Sequence, residues 1–322
     1  MSDYIIAAEH LTKRFALDAG FFARGDRFVY AVNDVSFGIA RGRTYGLVGE
    51  SGCGKTTTAR LLVRMYPADG GRILYALPDG TGGAENILDY GRTDLRRYRE
   101  NIKYVFQDPS RSLNPRMTVL GILTAGYRYS ARWPGKQAAR EQAARIMEEV
   151  GLDPADLERR PGEFSGGQRQ RISIESELLM RPQVLFCDEV VSALDVSVQS
   201  QILNLLQDIR ESRGISFLFI AHDLRVSCYF CDTIGVMYRG MLMEEAPAAD
   251  LYQTAAHPYT KLLFADSTGG AERRAGEART VLETVRGCPF AHRCPYADAR
   301  CKDEIPDWSK VADGHKVRCW RA

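Results

Sequence analysis

The sequence has no run approaching the roughly 18 to 20 consecutive apolar residues that a membrane-spanning helix requires, and its longest, such as residues 215–221, has the length of a buried strand. The chain is therefore not expected to cross a bilayer. It also lacks a basic N-terminal region followed by a hydrophobic core, so no secretory signal is expected and the expected compartment is the cytoplasm, where disulfides do not persist. An excess of charge of one sign is missing too. Forty-three Lys plus Arg against 41 Asp plus Glu leave a formal net charge of +2, too little to attract nucleic acid or anionic lipid by bulk charge. Nucleic acid is not an expected partner. There is no internal repeat, and 45% hydrophobic residues exclude a chain that is mainly disordered. At 322 residues the length allows two domains, or one large domain with an appendage.

What is present reads as α/β. Alternating apolar and polar positions over residues 4–9 and 29–39, on either side of a turn-rich insert at 18–27, predict antiparallel strands. A short buried-strand pattern at 44–48 breaks into a glycine loop and resumes as a helical run over 56–65. Residues 70–95 read as glycine-rich and hairpin-like, and residues 96–180 as mostly helical, with an amphipathic stretch over 137–150. Apolar runs at 183–187 and 215–221, separated by a helical pattern over 197–210, predict parallel strands joined by a crossover helix. Gly, Ala, Arg and Glu dominate 267–279, which predicts a linker into a cysteine-rich tail. The expected organisation is a main domain over 1–255, with a helical subdomain at about 96–180, and an extension over 256–322.

Gly49-Glu50-Ser51-Gly52-Cys53-Gly54-Lys55-Thr56 matches G-x-x-x-x-G-K-[ST] between a predicted strand and a predicted helix. Glycines let consecutive N–H groups and the helix N-terminus point at the β- and γ-phosphates of a nucleotide. Lys55 adds a point charge, the Thr56 hydroxyl can ligate Mg²⁺, and Thr57 can add a phosphate contact. Hydrolysis also needs a carboxylate on the metal and a group that orients water. The strand-closing pair in Val184-Leu-Phe-Cys-Asp188-Glu189 offers both, with Asp188 facing Mg²⁺ and Glu189 as base or water-positioner. Cys53, beside a helix N-terminus, is expected to have a lowered thiol pKa and to block nucleotide binding when alkylated.

Between those motifs, Phe164-Ser165-Gly166-Gly167-Gln168-Arg169-Gln170-Arg171 resembles the signature sequence of ATP-binding cassette (ABC) ATPases. Ser165 at a helix N-terminus followed by bare glycine backbone makes a second anion site. The resemblance implies a RecA-like parallel sheet, an antiparallel β subdomain and an inserted helical subdomain. It also implies two cassettes facing head to tail, with Ser165 of one chain capping the γ-phosphate held by Lys55 of the other. Gln107, in Tyr104-Val-Phe-Gln107-Asp-Pro, resembles the glutamine that senses Mg²⁺ and the attacking water. Asp195, in Ser192-Ala-Leu-Asp195, resembles the loop across the dimer, and His222, in Phe219-Ile-Ala-His222-Asp, the switch histidine. Phe15 resembles the adenine-stacking aromatic, with Tyr30 as its rival because of the insert between them.

Ser110-Arg-Ser-Leu-Asn-Pro-Arg-Met117, His257-Pro-Tyr-Thr260 and a four-cysteine tail make the chain similar to ATP-binding subunits of oligopeptide, dipeptide and nickel importers. That branch implies ATPase activity coupled to import, at the cytoplasmic face of the membrane. It further implies a second cassette subunit, two transmembrane permease subunits and an extracytoplasmic solute-binding protein. A soluble ABC ATPase of another complex, such as phosphonate degradation, and a hydrolytically poor regulatory cassette are the competing readings. In the tail, Cys288-x5-Cys294-x6-Cys301-x17-Cys319 offers four thiolates, and the readings open are a [4Fe–4S] cluster, zinc or no metal. Relatives with this tail imply the cluster. Cys228-x2-Cys231 reads as packing. Two departures from the family pattern stand out. Glu175, Ser176 and Glu177 replace small and basic residues after the signature, which puts Glu175 on an apolar helix face, and Val190 replaces a common proline.

Overall fold

The structure is a computed structural model, and it describes residues 3–16, 28–77, 83–108, 112–192, 194–266 and 286–322. The expected insert at 18–27 and linker at 267–279 lie outside the described residues. In chain order the elements are β1 (Tyr4–Ala16), β2 (Phe28–Ala40), β3 (Thr44–Val48), α1 (Lys55–Leu62), β4 (Gly70–Tyr75), β5 (Glu85–Asn86), α2 (Arg92–Asn101), β6 (Ile102–Val105), α3 (Val119–Tyr127), α4 (Lys136–Glu149) and α5 (Gly166–Leu178). They continue as β7 (Val184–Asp188), α6 (Val196–Arg213), β8 (Ser216–Ala221), α7 (Leu224–Phe230), β9 (Thr233–Tyr238), β10 (Met241–Pro247), α8 (Ala248–Thr254), α9 (Pro258–Asp266), α10 (Ala299–Asp303), β11 (Ser309–Ala312) and β12 (His315–Val317).

The chain divides into two compact units. The first joins Met1–Tyr90 to Leu218–Ala322 and the second is Gly91–Phe217. In the first unit an antiparallel sheet runs β2-β1-β4-β5, and a second sheet orders β11-β12-β10-β9-β3-β8. β3 is buried along its whole length and pairs parallel to β9, the two-sided burial usual for a parallel strand. β1 outruns the predicted strand. Its pairing with β2 slips between Ala8 and Leu11, where His10 has φ 51°, so a bulge there breaks the period-2 alternation although the strand continues to Ala16. The tail is tied in by Glu244 of β10, a fully buried carboxylate that accepts the N–H groups of Ala256 (2.7 Å) and His257 (3.0 Å) and lies 2.8 Å from His315 Nε2 of β12.

In the second unit β6 pairs parallel to β7, matching Ile102 with Val184 through Val105 with Cys187. The helices start and stop where local chemistry directs. Ser165 caps α5 by accepting the Gln168 N–H (3.3 Å) while Gln168 Oε1 accepts the Ser165 N–H (2.9 Å), the reciprocal box that an S-x-x-Q sequence encodes. Asp195 caps α6 through the Val198 N–H (2.9 Å), and Gly214, at φ 65°, ends it.

α5 also buries Glu175 completely, and neither of its carboxylate oxygens has a hydrogen-bond partner. Burial, with the Glu149 carboxylate contributing less, raises its pKa from an ordinary 4.5 to about 9. Glu177 is raised by burial as well, opposed by Lys103.

Candidate functional site

The glycine loop lies in the first unit, between the end of β3 and the start of α1. Its shape depends on glycine at two points. A Cβ on Gly49 would stand 2.1 Å from the Met237 carbonyl oxygen, and one on Gly54, at φ 111°, would stand 2.1 Å from the Ala31 carbonyl oxygen. Gly54 is also the N-cap of α1, so the first N–H groups of the helix, from Lys55 onward, face the loop. Lys55 is buried, and its Nζ lies inside the loop at 2.7 Å from Gly49 O and 2.9 Å from Glu50 O. Ser51 and Gly52 are exposed; Thr56 and Thr57 are half-buried. A lysine ammonium held in a glycine loop at the N-terminus of a helix is a site for a polyphosphate.

Cys53 corrects the expectation from its position. Its side chain is buried, and burial pushes the thiol above the ordinary range, outweighing the opposing pull of Lys55. Proximity to a helix N-terminus lowers a thiol pKa only where the thiolate stays solvated, and here it would not. Alkylation of the folded protein at this residue is not expected.

In the same unit, Phe15 of β1 is 37% exposed and meets Tyr66 edge-on, with ring centroids 5.6 Å apart. Its register partner is Val29, beside Tyr30, so both candidate aromatics sit at one end of the β1–β2 ribbon. His222 follows β8 directly and is exposed.

The second unit holds the acidic pair. Asp188 ends β7 buried, with Tyr104 Oη donating to its Oδ2 at 2.6 Å. Glu189 follows in the left-handed region, φ 51°, a conformation that costs a non-glycine residue energy and is retained mainly at functional positions. Gln107 Nε2 donates to Glu189 Oε2 at 2.7 Å, so the two residues singled out for the attacking water touch. Ser165, Gly166 and Gln168 are exposed at the start of α5, and Gly167 is half-buried, since a Cβ there would stand 2.7 Å from the Val198 side chain. Asp195 is occupied as the cap of α6, and its neighbour Ala193 lies outside the described residues.

Cys288, Cys294, Cys301 and Cys319 line one cavity of about 20 Å³ with His257, Phe290 and Trp320. That volume suits about one water. Burial raises Cys288 to about 11, and the other three cysteines add to the rise. Among the described residues no three His, Cys, Asp or Glu side chains converge as ligands of a single ion. Thiols are the donor type of a soft metal centre, and among the described residues they do not converge on one ion. Cys228 and Cys231 lie on α7 and at its C-cap, and the Cys231 Sγ packs 2.7 Å from where a Cβ on Gly46 would be, which is a packing role.

Comparison with known proteins decides the family. The profile described as "ABC transporter" matches residues 32–192, and "Oligopeptide/dipeptide transporter, C-terminal region" matches residues 243–301. The chain is 40% identical over 326 residues to the probable peptide ABC transporter ATP-binding protein y4tS of Sinorhizobium fredii, covering 99% of this chain and 90% of that one. The chain belongs to the ABC transporter ATP-binding family. The cassette is also 38% identical to the oligopeptide transport ATP-binding protein AppF of Bacillus subtilis, over 98% of this chain and 96% of that one. Among solved structures it resembles cbiO1 of Clostridium perfringens, part of the transporter complex cbiONQ, at TM-score 0.65 and 25% identity over 79% of this chain and 92% of the other. An ATP-binding cassette in its ADP conformation, 24% identical, aligns at TM-score 0.65 over 81% of this chain and 98% of the other, which shows the shared fold. The cassette fold and an ATPase activity using ATP with Mg²⁺ follow from this membership. Among the described residues no helix is long and apolar enough to cross a membrane.

Sequence reasoning missed two residues near the phosphate loop. Arg293 and Tyr259, both from the C-terminal region, contact Glu50. Tyr259 lies within His257-Pro-Tyr-Thr260, whereas no local motif marks Arg293.

Proposed function

We propose that this chain is the ATP-hydrolysing subunit of a peptide importer, working on the cytoplasmic face of the membrane. The observation that carries the reading is full-length similarity to peptide and oligopeptide ATP-binding proteins, including a match over the C-terminal region particular to that branch. In this reading Lys55, Gly49, Ser51, Gly52, Cys53, Gly54 and Thr57 hold the β- and γ-phosphates through the loop N–H groups and the ammonium. Thr56, Asp188 and Gln107 serve Mg²⁺. Glu189 positions and deprotonates water, His222 contacts the γ-phosphate, and Phe15 stacks on adenine. Ser165, Gly166, Gly167, Gln168 and Asp195 serve a second cassette. Its partners are that cassette, two permease subunits and an extracytoplasmic binding protein. The domain reading is a cassette over 1–255 and an extension over 256–322. Copurification with co-expressed permease subunits, and ATPase activity in the complex, test the assignment; a chain that never associates with membrane subunits contradicts it.

We infer that the tail holds a metal centre, a [4Fe–4S] cluster in preference to zinc. What supports the reading is that all four cysteines line one cavity, and a cluster would take each thiol on a different iron. Such a centre would fold a tail with little core of its own. Anaerobically purified protein is expected to carry about four irons and four sulfides per chain, from the cluster stoichiometry, with Cys294→Ser losing both. Colourless protein with one zinc would replace the cluster reading.

A further inference from the structure

An anion-binding loop that contains a carboxylate works against itself. Glu50 is the second residue of the glycine loop, and its carbonyl shares the Lys55 ammonium at 2.9 Å, so its side chain begins beside the place where phosphate charge would be held. The structure ties this carboxylate down from the C-terminal tail. Arg293 Nη1 donates to both Glu50 Oε1 (2.8 Å) and Oε2 (2.9 Å), and both side chains are about four-fifths buried. Tyr259 Oη accepts the Glu50 backbone N–H at 2.9 Å, and the Cys53 carbonyl accepts the Gly240 N–H at 2.8 Å.

Arg293 is itself held in place. Its guanidinium lies 5.9 Å from the Tyr238 ring centroid and 5.8 Å from that of Phe290. Phe290 is buried against Tyr238, Tyr259 and His257 at centroid distances of 5.3, 5.4 and 5.7 Å. The Phe290 carbonyl accepts the N–H groups of both Arg293 and Cys294 at 3.0 Å, forming one tight turn that carries the ion pair. Cys288 and Cys294, at either end of this segment, line the thiol cavity.

We propose that Arg293 is a positioning residue for the nucleotide site: it neutralises Glu50 and draws it away from the phosphate, so that the tail completes the phosphate loop from a point 243 residues along the chain. The inference rests on the proposed ATP-binding role of that loop. Arg293 touches no nucleotide in this scheme. It acts through Glu50, and its loss frees a carboxylate that repels the incoming phosphates.

The test is nucleotide affinity and steady-state kinetics of the full chain with ATP and Mg²⁺. Arg293→Ala is expected to weaken ATP binding about tenfold, a charge effect of ordinary size for a partly buried pair, and to raise KM with kcat changed less. Arg293→Lys should recover part of the loss. Glu50→Gln combined with Arg293→Ala should return affinity to near the native value, because the repelling charge has gone; a purely structural role in packing Phe290 would not be rescued this way. Native affinity in Arg293→Ala, or a double variant as weak as the single one, overturns the proposal. Native protein that binds no ATP would instead refute the nucleotide-site assignment beneath it, so the two failures are distinct.

Discussion

Glu189→Gln is expected to lower ATP turnover by about two to four orders of magnitude while ATP still binds, the range typical of losing a positioned general base. The substitution is nearly isosteric. The amide oxygen can still accept from Gln107 Nε2, which lies 2.7 Å from the Glu189 carboxylate in the native chain, so the geometry is retained and only the basic charge is lost. The left-handed backbone at Glu189 points the same way, since strain at φ 51° is kept where a side chain must face a particular direction. kcat and kcat/KM should fall together, as expected when an interaction specific to the transition state is removed. Turnover above a tenth of native would remove Glu189 from the role proposed for it.

The second large effect concerns stability. Glu175 is buried without a hydrogen bond, and burial raises its pKa to about 9 against an ordinary 4.5. The folded state therefore holds a proton that the unfolded state releases. Below 4.5 both states are protonated and the group imposes no pH-dependent penalty. Between 4.5 and 9 each unit of pH withdraws about 1.4 kcal/mol from folding, and above 9 the loss is complete. At pH 8 the deficit relative to pH 5 is on the order of 4 kcal/mol from this residue. Glu175→Met, unbranched and of similar length, should raise the melting temperature by several degrees at pH 8 and by much less at pH 5. Parallel shifts at both pH values would show that the carboxylate is not titrating as its burial implies.

Much of the site was legible because it is local. The glycine loop, the S-x-x-Q box at Ser165 and the acidic pair closing β7 each occupy fewer than ten consecutive residues, and their backbone geometry follows from glycine, capping and strand burial. Glu175 was legible too, since helical spacing puts it on the face that packs inward. What escaped was non-local. The sequence position of Cys53 indicates a helix N-terminus, while its thiol pKa is set by the surroundings that bury it. The alternation predicts a strand only over 4–9, because a bulge at His10 shifts the period by which strands are recognised while β1 runs on to Ala16. The Arg293–Glu50 pair joins distant parts of the chain, and no periodicity or motif relates an arginine in a cysteine tail to a phosphate loop.

The central claim is that this cassette hydrolyses ATP to drive peptide entry, and uptake is its most direct test. The chain would be assembled with its permease subunits in sealed vesicles, with ATP on the cassette side and labelled peptide plus binding protein on the other. The account predicts peptide accumulation that requires ATP and disappears with Glu189→Gln. ATP hydrolysis by the assembled complex with no movement of peptide would contradict it.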